Sequence, residues 1–287
     1  MAANPAASPP LLPHIHLLCM QPSASAAFAQ ALASHASSPP SIAPAPATAS
    51  PLSSHLHYTV HNTYLADLPS SLRFDLAVSP ANSYGILDGG FDDALSRAFG
   101  PRDDYAALTR AAQAELYRRH AGYLPPGACC LVRIPVEEYR GRLRPYQDGS
   151  LGDDDGGAWG CRYLALCPTM RLPSLCTWDR DVVYECIWSL LNAIDQHNAN
   201  LSNTVDPGKA GEGEREDPAP APTKIESILM TPLGTGTGGL SDDRWAKQAV
   251  LAMKHWVEAK QNPHKWSALN WMDLGIVDTE LRKTYRA

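Results

Sequence analysis

Basic residues are absent from the N-terminal part of this 287-residue chain, in which Arg73 is the first Lys or Arg. Secretory leaders start with a basic segment and mitochondrial ones are rich in arginine, so neither kind of leader is expected. Apolar runs that approach the ~20 residues needed to span a bilayer are also absent. These absences predict a cytoplasmic or nuclear protein that does not associate with membranes.

The chain also lacks a basic stripe, and its formal net charge is −6. General nucleic-acid binding needs clustered Lys and Arg to displace the counterions of the phosphate backbone, so it is not expected. A small anionic ligand remains compatible with an acidic chain, because main-chain N–H groups at a helix start can hold phosphates.

Metal-binding cysteine pairs are missing as well, because none of the seven cysteines has C-x-x-C spacing. An odd number of cysteines within apolar segments is typical of buried free thiols. Histidines alternate along two strand-like segments, at His14 and His16 and at His55, His57 and His61. They have no cysteine or carboxylate partners at metal-ligand spacing, so the sequence predicts no metal and no other cofactor.

Two regions stand apart from an otherwise globular composition. The proline-rich stretches and the polar, acidic run before Thr223 predict segments outside the core. We therefore expect a disordered tail over residues 1–13 and a single domain over 14–287. Within that domain we expect a mobile loop at 37–54 and a disordered acidic and Pro-rich insertion at 198–223.

Apolar patterns elsewhere alternate between strand and helix periodicity. Strands are predicted within residues 14–20, 55–60, 72–79, 127–135, 162–167 and 224–230. Helices are predicted within residues 23–34, 91–99, 105–120, 181–197 and 241–260. This alternation is typical of an α/β fold with a mixed or mostly parallel central sheet, whose ligands bind beyond the carboxyl ends of the strands.

One predicted strand ends in the first glycine loop, residues 82–93, which leads into a helix. Gly89 and Gly90 permit positive φ angles and a close approach of the backbone to a ligand. Their N–H groups and that of Phe91 are expected to face an anion on the helix axis. A turn without a ligand is the alternative for this short motif.

The second glycine loop, residues 231–239, follows the last predicted strand and has four glycines within residues 234–239. Glycine costs backbone entropy on folding, so this density indicates a need for bare backbone, such as an anion nest lined by threonine hydroxyls. A flexible turn is the alternative. No Lys-Ser/Thr follows the glycines, which excludes a Walker loop. If the two loops follow neighbouring strands, they face one cleft in which a diphosphate fits.

The residues of both loops resemble the signature of the macrodomain family. Ser79-Pro80-Ala81-Asn82 resembles the strand end Asn-Ala-Ala-Asn, and Asp92 stands at the family's Val-Asp-Gly aspartate. Leu233 to Gly239 resembles the family's second phosphate loop. The resemblance covers about residues 59–257, and it is strongest to a fungal macro-like group with members assigned as ADP-ribose 1″-phosphate phosphatases.

The resemblance implies a three-layer macrodomain-like fold, with a central mixed sheet flanked by helices, that binds ADP-ribose or an ADP-ribosylated substrate. It implies catalytic roles for Asn82, at the distal ribose, and for Asp92, beside the reacting ester or phosphate. Asn62 is the nearest candidate for the family's adenine contact, because the usual Gly-Asp-Ile is missing. The implied ligand-binding residues are Asn62, Ser83, Asp88, Gly89, Gly90, Phe91, Leu233, Gly234, Thr235, Gly236, Thr237 and Gly238.

Three functions are compatible with these residues. The leading interpretation is hydrolysis at the distal ribose, as an ADP-ribose 1″-phosphate phosphatase or an ADP-ribosyl hydrolase. The second is a non-catalytic module that reads ADP-ribose through the same loops. The third is a scaffold protein with a degenerate pocket, in which the Pro-rich segments are partner-binding tails, although the sequence does not indicate which protein they bind.

Overall fold

The computed structural model describes residues 10–35, 40–42, 49–150, 157–203 and 221–285. The strands are β1 (His14–Leu18), β2 (Tyr58–His61), β3 (Leu76–Ser79), β4 (Cys130–Arg133), β5 (Tyr163–Leu166) and β6 (Ser227–Met230). The α-helices are α1 (Pro22–His35), α2 (Phe91–Phe99), α3 (Ala107–His120), α4 (Val136–Tyr139), α5 (Val182–Asn203), α6 (Asp242–Gln261), α7 (Pro263–Trp266) and α8 (Trp271–Arg282).

The strands form one six-stranded sheet in the order β2-β1-β6-β3-β5-β4. Neighbouring strands are parallel except for β4, which runs antiparallel to β5 at the sheet's edge. The predicted mixed sheet is therefore confirmed. Because five strands point the same way, their carboxyl ends and the loops that follow them lie along one edge.

Helices cover both faces of this sheet, and the strand residues alternate between two apolar cores. In β3, Leu76 and Val78 pack with α1, α5 and α6, whereas Ala77 packs with α2 and α3. A strand with both faces buried needs apolar side chains at every position, which explains the continuous run from Leu76 to Val78. The result is the predicted three-layer α/β arrangement.

Some predicted boundaries are corrected. Strand β2 starts at Tyr58 rather than at His55, because residues Leu52–Ser54 form a 3-10 helix in which the Leu52 carbonyl accepts from the N–H groups of His55 and Leu56. Helix α5 continues through Asn203, six residues into the predicted insertion. The Asn198 side chain fixes this part of the helix, because its Nδ2 donates to the Ile225 carbonyl and its Oδ1 accepts from the Ile225 N–H.

The predicted tail and mobile loop are attached where the structure describes them. Leu12 lies in the core at 3% exposure, and Ile42 is similarly buried at 2%. The main-chain N–H of Ser41 donates to both carboxylate oxygens of Glu258, at 3.1 and 3.0 Å. The remaining parts of these two predicted segments, 1–9, 36–39 and 43–48, lie outside the described residues, as do 204–220 of the insertion.

Among the described residues, no helix combines the length and the apolar character that a membrane span requires.

Candidate functional site

The two glycine loops follow adjacent strands. The first loop continues from β3 into α2, and the second continues from β6 into α6. Strands β3 and β6 pair in parallel, with Leu76 opposite Ile228 and Ala77 opposite Leu229. Both loops therefore leave the same edge of the sheet from neighbouring positions, as expected for a shared ligand site.

Glycine is required at the helix entry of the first loop. Gly90 precedes α2 with φ 57° and ψ −126°, a conformation that residues with a side chain rarely adopt. A Cβ on Gly89 or Gly90 would meet no other atom within 4 Å. The backbone is thus open to the outside at both positions.

Several main-chain donors in these loops lack protein partners. Among the described residues, the N–H groups of Gly89, Gly90 and Phe91 donate to no acceptor, and neither do those of residues 235–237. The amides before α2 also lie at the positive end of that helix's dipole. Two sets of main-chain donors without protein partners thus follow adjacent strands, and donors of this kind can bind an oxyanion or a diphosphate.

The second loop has a tightly packed base and an open rim. Gly238 is packed so closely that a Cβ there would lie 2.4 Å from the Gly234 carbonyl oxygen and 2.6 Å from Cys176 Sγ. Its own carbonyl accepts from the N–H of Cys176 at 2.9 Å. By contrast, a Cβ on Gly236 would meet nothing within 4 Å. We call the packed side of the loop at Gly238 its base and the exposed side at Gly236 its rim.

Asp92 lies in the first turn of α2, beneath the glycine pair, and is 7% exposed. The Ser79 hydroxyl, at the end of β3, donates to Asp92 Oδ1 at 2.6 Å. The pKa of Asp92 is raised to about 7, chiefly by burial; the bond from Ser79 opposes this increase, and the nearby charge of Asp88 adds to it. Asp92 can therefore both hold and accept a proton near neutral pH, unlike its neighbour Asp93.

Asp93 is engaged elsewhere. Its carboxylate accepts from Arg97 Nε at 2.8 Å and from the Tyr105 hydroxyl at 2.6 Å. These bonds, that of Arg97 foremost, lower the pKa of Asp93. Of the two adjacent aspartates, the structure places Asp92 under the loop and pairs Asp93 on the surface.

Asn82 organises the first loop from within. Its Nδ2 donates to the Ile86 carbonyl at 2.7 Å, and its Oδ1 accepts from the N–H groups of Tyr84 and Ile86 at 3.1 and 3.3 Å. The predicted contact of this amide with a ribose stays a prediction. Its described bonds all fix the shape of the loop.

Other predicted ligand residues occupy different depths. Ser83, Leu233 and Gly234 are buried, and Ser83 is bonded by its N–H to the Arg171 carbonyl at 3.3 Å. Asp88 and Thr237 are exposed. Only the exposed members are accessible to a ligand without a change in the structure, and the role of all of them stays a prediction.

Asn62 lies at the same sheet edge, directly after β2, but β1 separates it from the second loop's strand β6. Its Oδ1 accepts from the Ser25 hydroxyl at 2.9 Å. The oxygen predicted to receive the adenine amine therefore already has one donor, although a carbonyl oxygen accepts two.

The segment between β5 and α5 was not predicted to belong to the site. Cys176 fixes the second loop, and the neighbouring side chains of Leu175 and Trp178 are 64% and 74% exposed. Large apolar residues left in a loop directly after a predicted strand were the available signal. Ser79, the partner of Asp92, was missed too, although a lone hydroxyl at the end of an apolar strand marks it.

The described residues line a cavity at each end of the sheet's strands, and the one at the carboxyl end adjoins the second loop, because a Cβ on Gly239 would lie 3.7 Å from Thr177 Cγ2. One, of about 540 Å³, includes Leu12 and Glu226 and adjoins the amino ends of β1 and β6. The other, of about 430 Å³, is lined by Thr177, Arg180, Arg244, Arg282 and Tyr285. Within the described part of the chain, no group of three or more His, Cys, Asp or Glu side chains is placed to hold a metal ion.

Comparison with known proteins gives structural neighbours. No family model matches the sequence, and no curated protein matches it significantly. A macrodomain of Oceanobacillus iheyensis with ADP is similar at a TM-score of 0.40 and 13% identity, over 75% of this chain and 88% of that chain. A mutant of that macrodomain with ADPR has a TM-score of 0.38 and 13% identity, over 76% of this chain and 90% of that one. The similarity concerns the fold.

Proposed function

We propose that this protein binds ADP-ribose or an ADP-ribosylated derivative between the two glycine loops, which follow adjacent strands. One observation carries the proposal: unpaired main-chain donors of Gly89, Gly90 and residues 235–237 follow adjacent parallel strands. Such donors hold a diphosphate without lysine or arginine, which suits a chain of net charge −6. The resemblance of both loops to the macrodomain signature supplies the ligand class.

Binding is tested with variants that close the bare backbone without straining it. Gly89 and Gly236 have no positive φ, and a Cβ on either meets nothing within 4 Å. Gly89→Val and Gly236→Val should therefore fold normally while obstructing the amides. We expect each to weaken ADP-ribose binding by at least about tenfold in calorimetry, since bonds to charged groups contribute roughly 1.5–3 kcal/mol.

Gly275→Val provides the matched control, because Gly275 lies on α8 and has equally open surroundings. It should leave the affinity for ADP-ribose unchanged. At ten times its dissociation constant, ADP-ribose should stabilise the wild-type protein by about 1.4 kcal/mol. A thermal-shift panel with ADP-ribose, ADP-ribose 1″-phosphate, ADP and AMP shows which part of the ligand the protein recognises. No shift with any of the four would reject the proposal.

The proposal extends to hydrolysis at the distal ribose, with Asp92 as general acid or base. Its pKa of about 7 suits proton transfer near neutral pH, and the loop amides would stabilise developing negative charge. Ser79 would orient the carboxyl through its 2.6 Å bond. Asn82 would act through the loop shape that its side chain maintains, and its direct contact with a ribose remains part of the proposal.

Neighbouring aspartates give a sharp test of this chemistry. Asp92→Asn keeps the size of the side chain and removes the titrating group, whereas Asp93→Asn changes the same charge at a surface position paired with Arg97. We expect Asp92→Asn to lose turnover of ADP-ribose 1″-phosphate, or release of ADP-ribose from a modified acceptor, while binding persists. Equal rates in the two variants would reject the role of Asp92.

The alternative is a reader module that binds ADP-ribose and hydrolyses nothing. The burial of Asp92, at 7% exposure, and the use of the Asn82 amide within its own loop favour this alternative. Calorimetric binding without turnover on either class of substrate would support it. Turnover that requires Asp92 would exclude it.

A further inference from the structure

A cluster of arginines stands at the carboxyl edge of the sheet, beside the second glycine loop. Arg244 lies in the first turn of α6, directly after the second loop, and Arg180 comes from the segment before α5. Arg282 is the last residue of α8. These three side chains, with Thr177 and Tyr285, line the cavity of about 430 Å³.

Arg244 is the unusual member, because it is buried at 7% exposure without a carboxylate partner among the described residues. Its guanidinium donates to the carbonyls of Thr177 and Asp179, at 3.1 and 2.6 Å. Its buried Nε has no hydrogen-bond partner. Burying a charge without a counter-charge is costly, and such a charge is normally paired.

The other two arginines are exposed, and their positive charge is only partly compensated. No ion pair of Arg180 occurs within the described ranges, and its guanidinium lies 5.5 Å from the centre of the Tyr285 ring. Arg282 Nε donates to Asp278 at 2.6 Å. The Asp181 carboxylate is a negative charge beside the Tyr285 hydroxyl, whose pKa burial and this carboxylate raise to about 12, and its buried Oδ1 has no hydrogen-bond partner. Among the described residues, the guanidiniums of Arg180 and Arg244 thus have no carboxylate partner.

The cavity walls are fixed by buried polar contacts rather than by loose surface chains. The Gln248 side chain, fully buried on α6, donates to the Arg180 carbonyl and, at 3.2 Å, to the Thr284 hydroxyl. One side chain therefore connects the segment before α5, helix α6 and the end of α8. The backbone that carries Arg180 and Arg282 is therefore fixed relative to α6, which lowers the entropy cost of binding.

We infer that this arginine cavity is a second anion site, which binds the phosphate group of a small phosphomonoester independently of the glycine loops. Arginine forks match phosphate oxygens in two-point contacts, and a dianion compensates the charges that the protein leaves unpaired. The volume of about 430 Å³ admits more than a phosphate, and the Tyr285 ring and Arg180 provide flat surfaces for the attached organic group.

The test uses the full chain with inorganic phosphate as the probe and ADP-ribose as the reporter of the other site. Arg180 and Arg282 are exposed, so a double variant, Arg180→Gln with Arg282→Gln, keeps the buried Arg244 and should fold. We expect calorimetry to show its affinity for phosphate reduced by at least about tenfold. Its affinity for ADP-ribose should stay within about twofold of wild type.

A matched control removes two exposed arginines elsewhere, with Arg118→Gln and Arg119→Gln on α3, whose partner is Glu115. It has the same change in net charge and should bind phosphate like the wild type. Equal phosphate affinity in the double variant and this control would overturn the inference, as would the absence of phosphate binding to the wild type at millimolar concentration. Phosphate that is displaced by ADP-ribose in the wild type would also overturn it, because one site would then account for both ligands.

Discussion

The two glycine loops occupy equivalent places on adjacent strands, yet different forces hold them. The first loop is organised by polar side chains: Asn82 bonds it internally, and the hydroxyls of Thr109 and Ser96 bond the main chain of Leu87. The second is held by main-chain bonds, among them Leu240 N–H to the Gly234 carbonyl at 3.0 Å. The first also carries Asp88 and Asp92, whereas residues 231–239 contain no ionisable side chain.

This difference separates two tasks within one site. A loop without titratable groups presents its amides in the same way at any pH, which suits the binding of a permanently charged diphosphate. A loop above a carboxyl group with a pKa of about 7 changes its charge in the physiological range, which suits proton transfer. If this comparison is correct, pH and side-chain substitutions should affect the first loop, and backbone crowding should affect the second.

The largest effect is expected from Asp92→Asn as a function of pH. The pKa of Asp92 is about 7 in the folded chain, whereas an unfolded aspartate titrates near about 4. The folded state therefore binds more protons between these values, and its stability falls as pH rises from about 4 through 7. Wild type should lose on the order of 3–4 kcal/mol relative to Asp92→Asn between pH 4 and pH 8.

Urea denaturation at a series of pH values measures this difference. Asp93→Asn is the control, because the bond from Arg97 lowers the pKa of Asp93. Any stability that Asp93 contributes is therefore lost as pH falls, not as it rises. Parallel stability curves for wild type and Asp92→Asn would show that the carboxyl group titrates normally. The proposed difference in pH dependence between the two loops would then be wrong.

Backbone crowding in the second loop gives the next largest effect. In Gly238→Ala the new methyl group would lie 2.4 Å from the Gly234 carbonyl oxygen, so the loop must shift. We expect the free energy of unfolding to fall by about 2–3 kcal/mol. In Gly236→Ala the methyl group meets nothing, and the change should stay below about 1 kcal/mol. Equal destabilisation by both, in denaturant titrations, would contradict the packed base and open rim described above.

Much of the fold followed from local patterns in the sequence. Helix α2 spans Phe91–Phe99 as predicted, and every predicted strand position contains a strand. These elements have strong periodicity or a glycine at their start, so neighbouring residues suffice to define them. The glycine density predicts bare backbone correctly at Gly89, Gly90 and Gly236, whereas Gly238 is glycine because its surroundings leave no space for a side chain.

What the sequence left open depends on contacts between distant residues. The pairing of β3 with β6 joins Leu76 to Ile228, and no local pattern encodes which strands become neighbours. The same holds for the arginine cavity, whose members come from three separate parts of the chain. Asn82 illustrates a third limit, since an asparagine at a strand end has the same sequence signal whether its amide meets a ligand or its own loop.

The smallest effect concerns the side chains that shape each loop. Asn82→Ala removes three hydrogen bonds from the first loop and should cost about 1–2 kcal/mol of stability. Thr235→Val removes the one bond from its hydroxyl to the Pro232 carbonyl, at 3.2 Å on a partly exposed side chain, and should cost less than about 1 kcal/mol. Thermal denaturation of both variants compares them directly. If Asn82→Ala is as stable as Thr235→Val but loses ADP-ribose affinity, the amide acts on the ligand rather than on the loop, and the first loop would resemble the second in being held by its backbone.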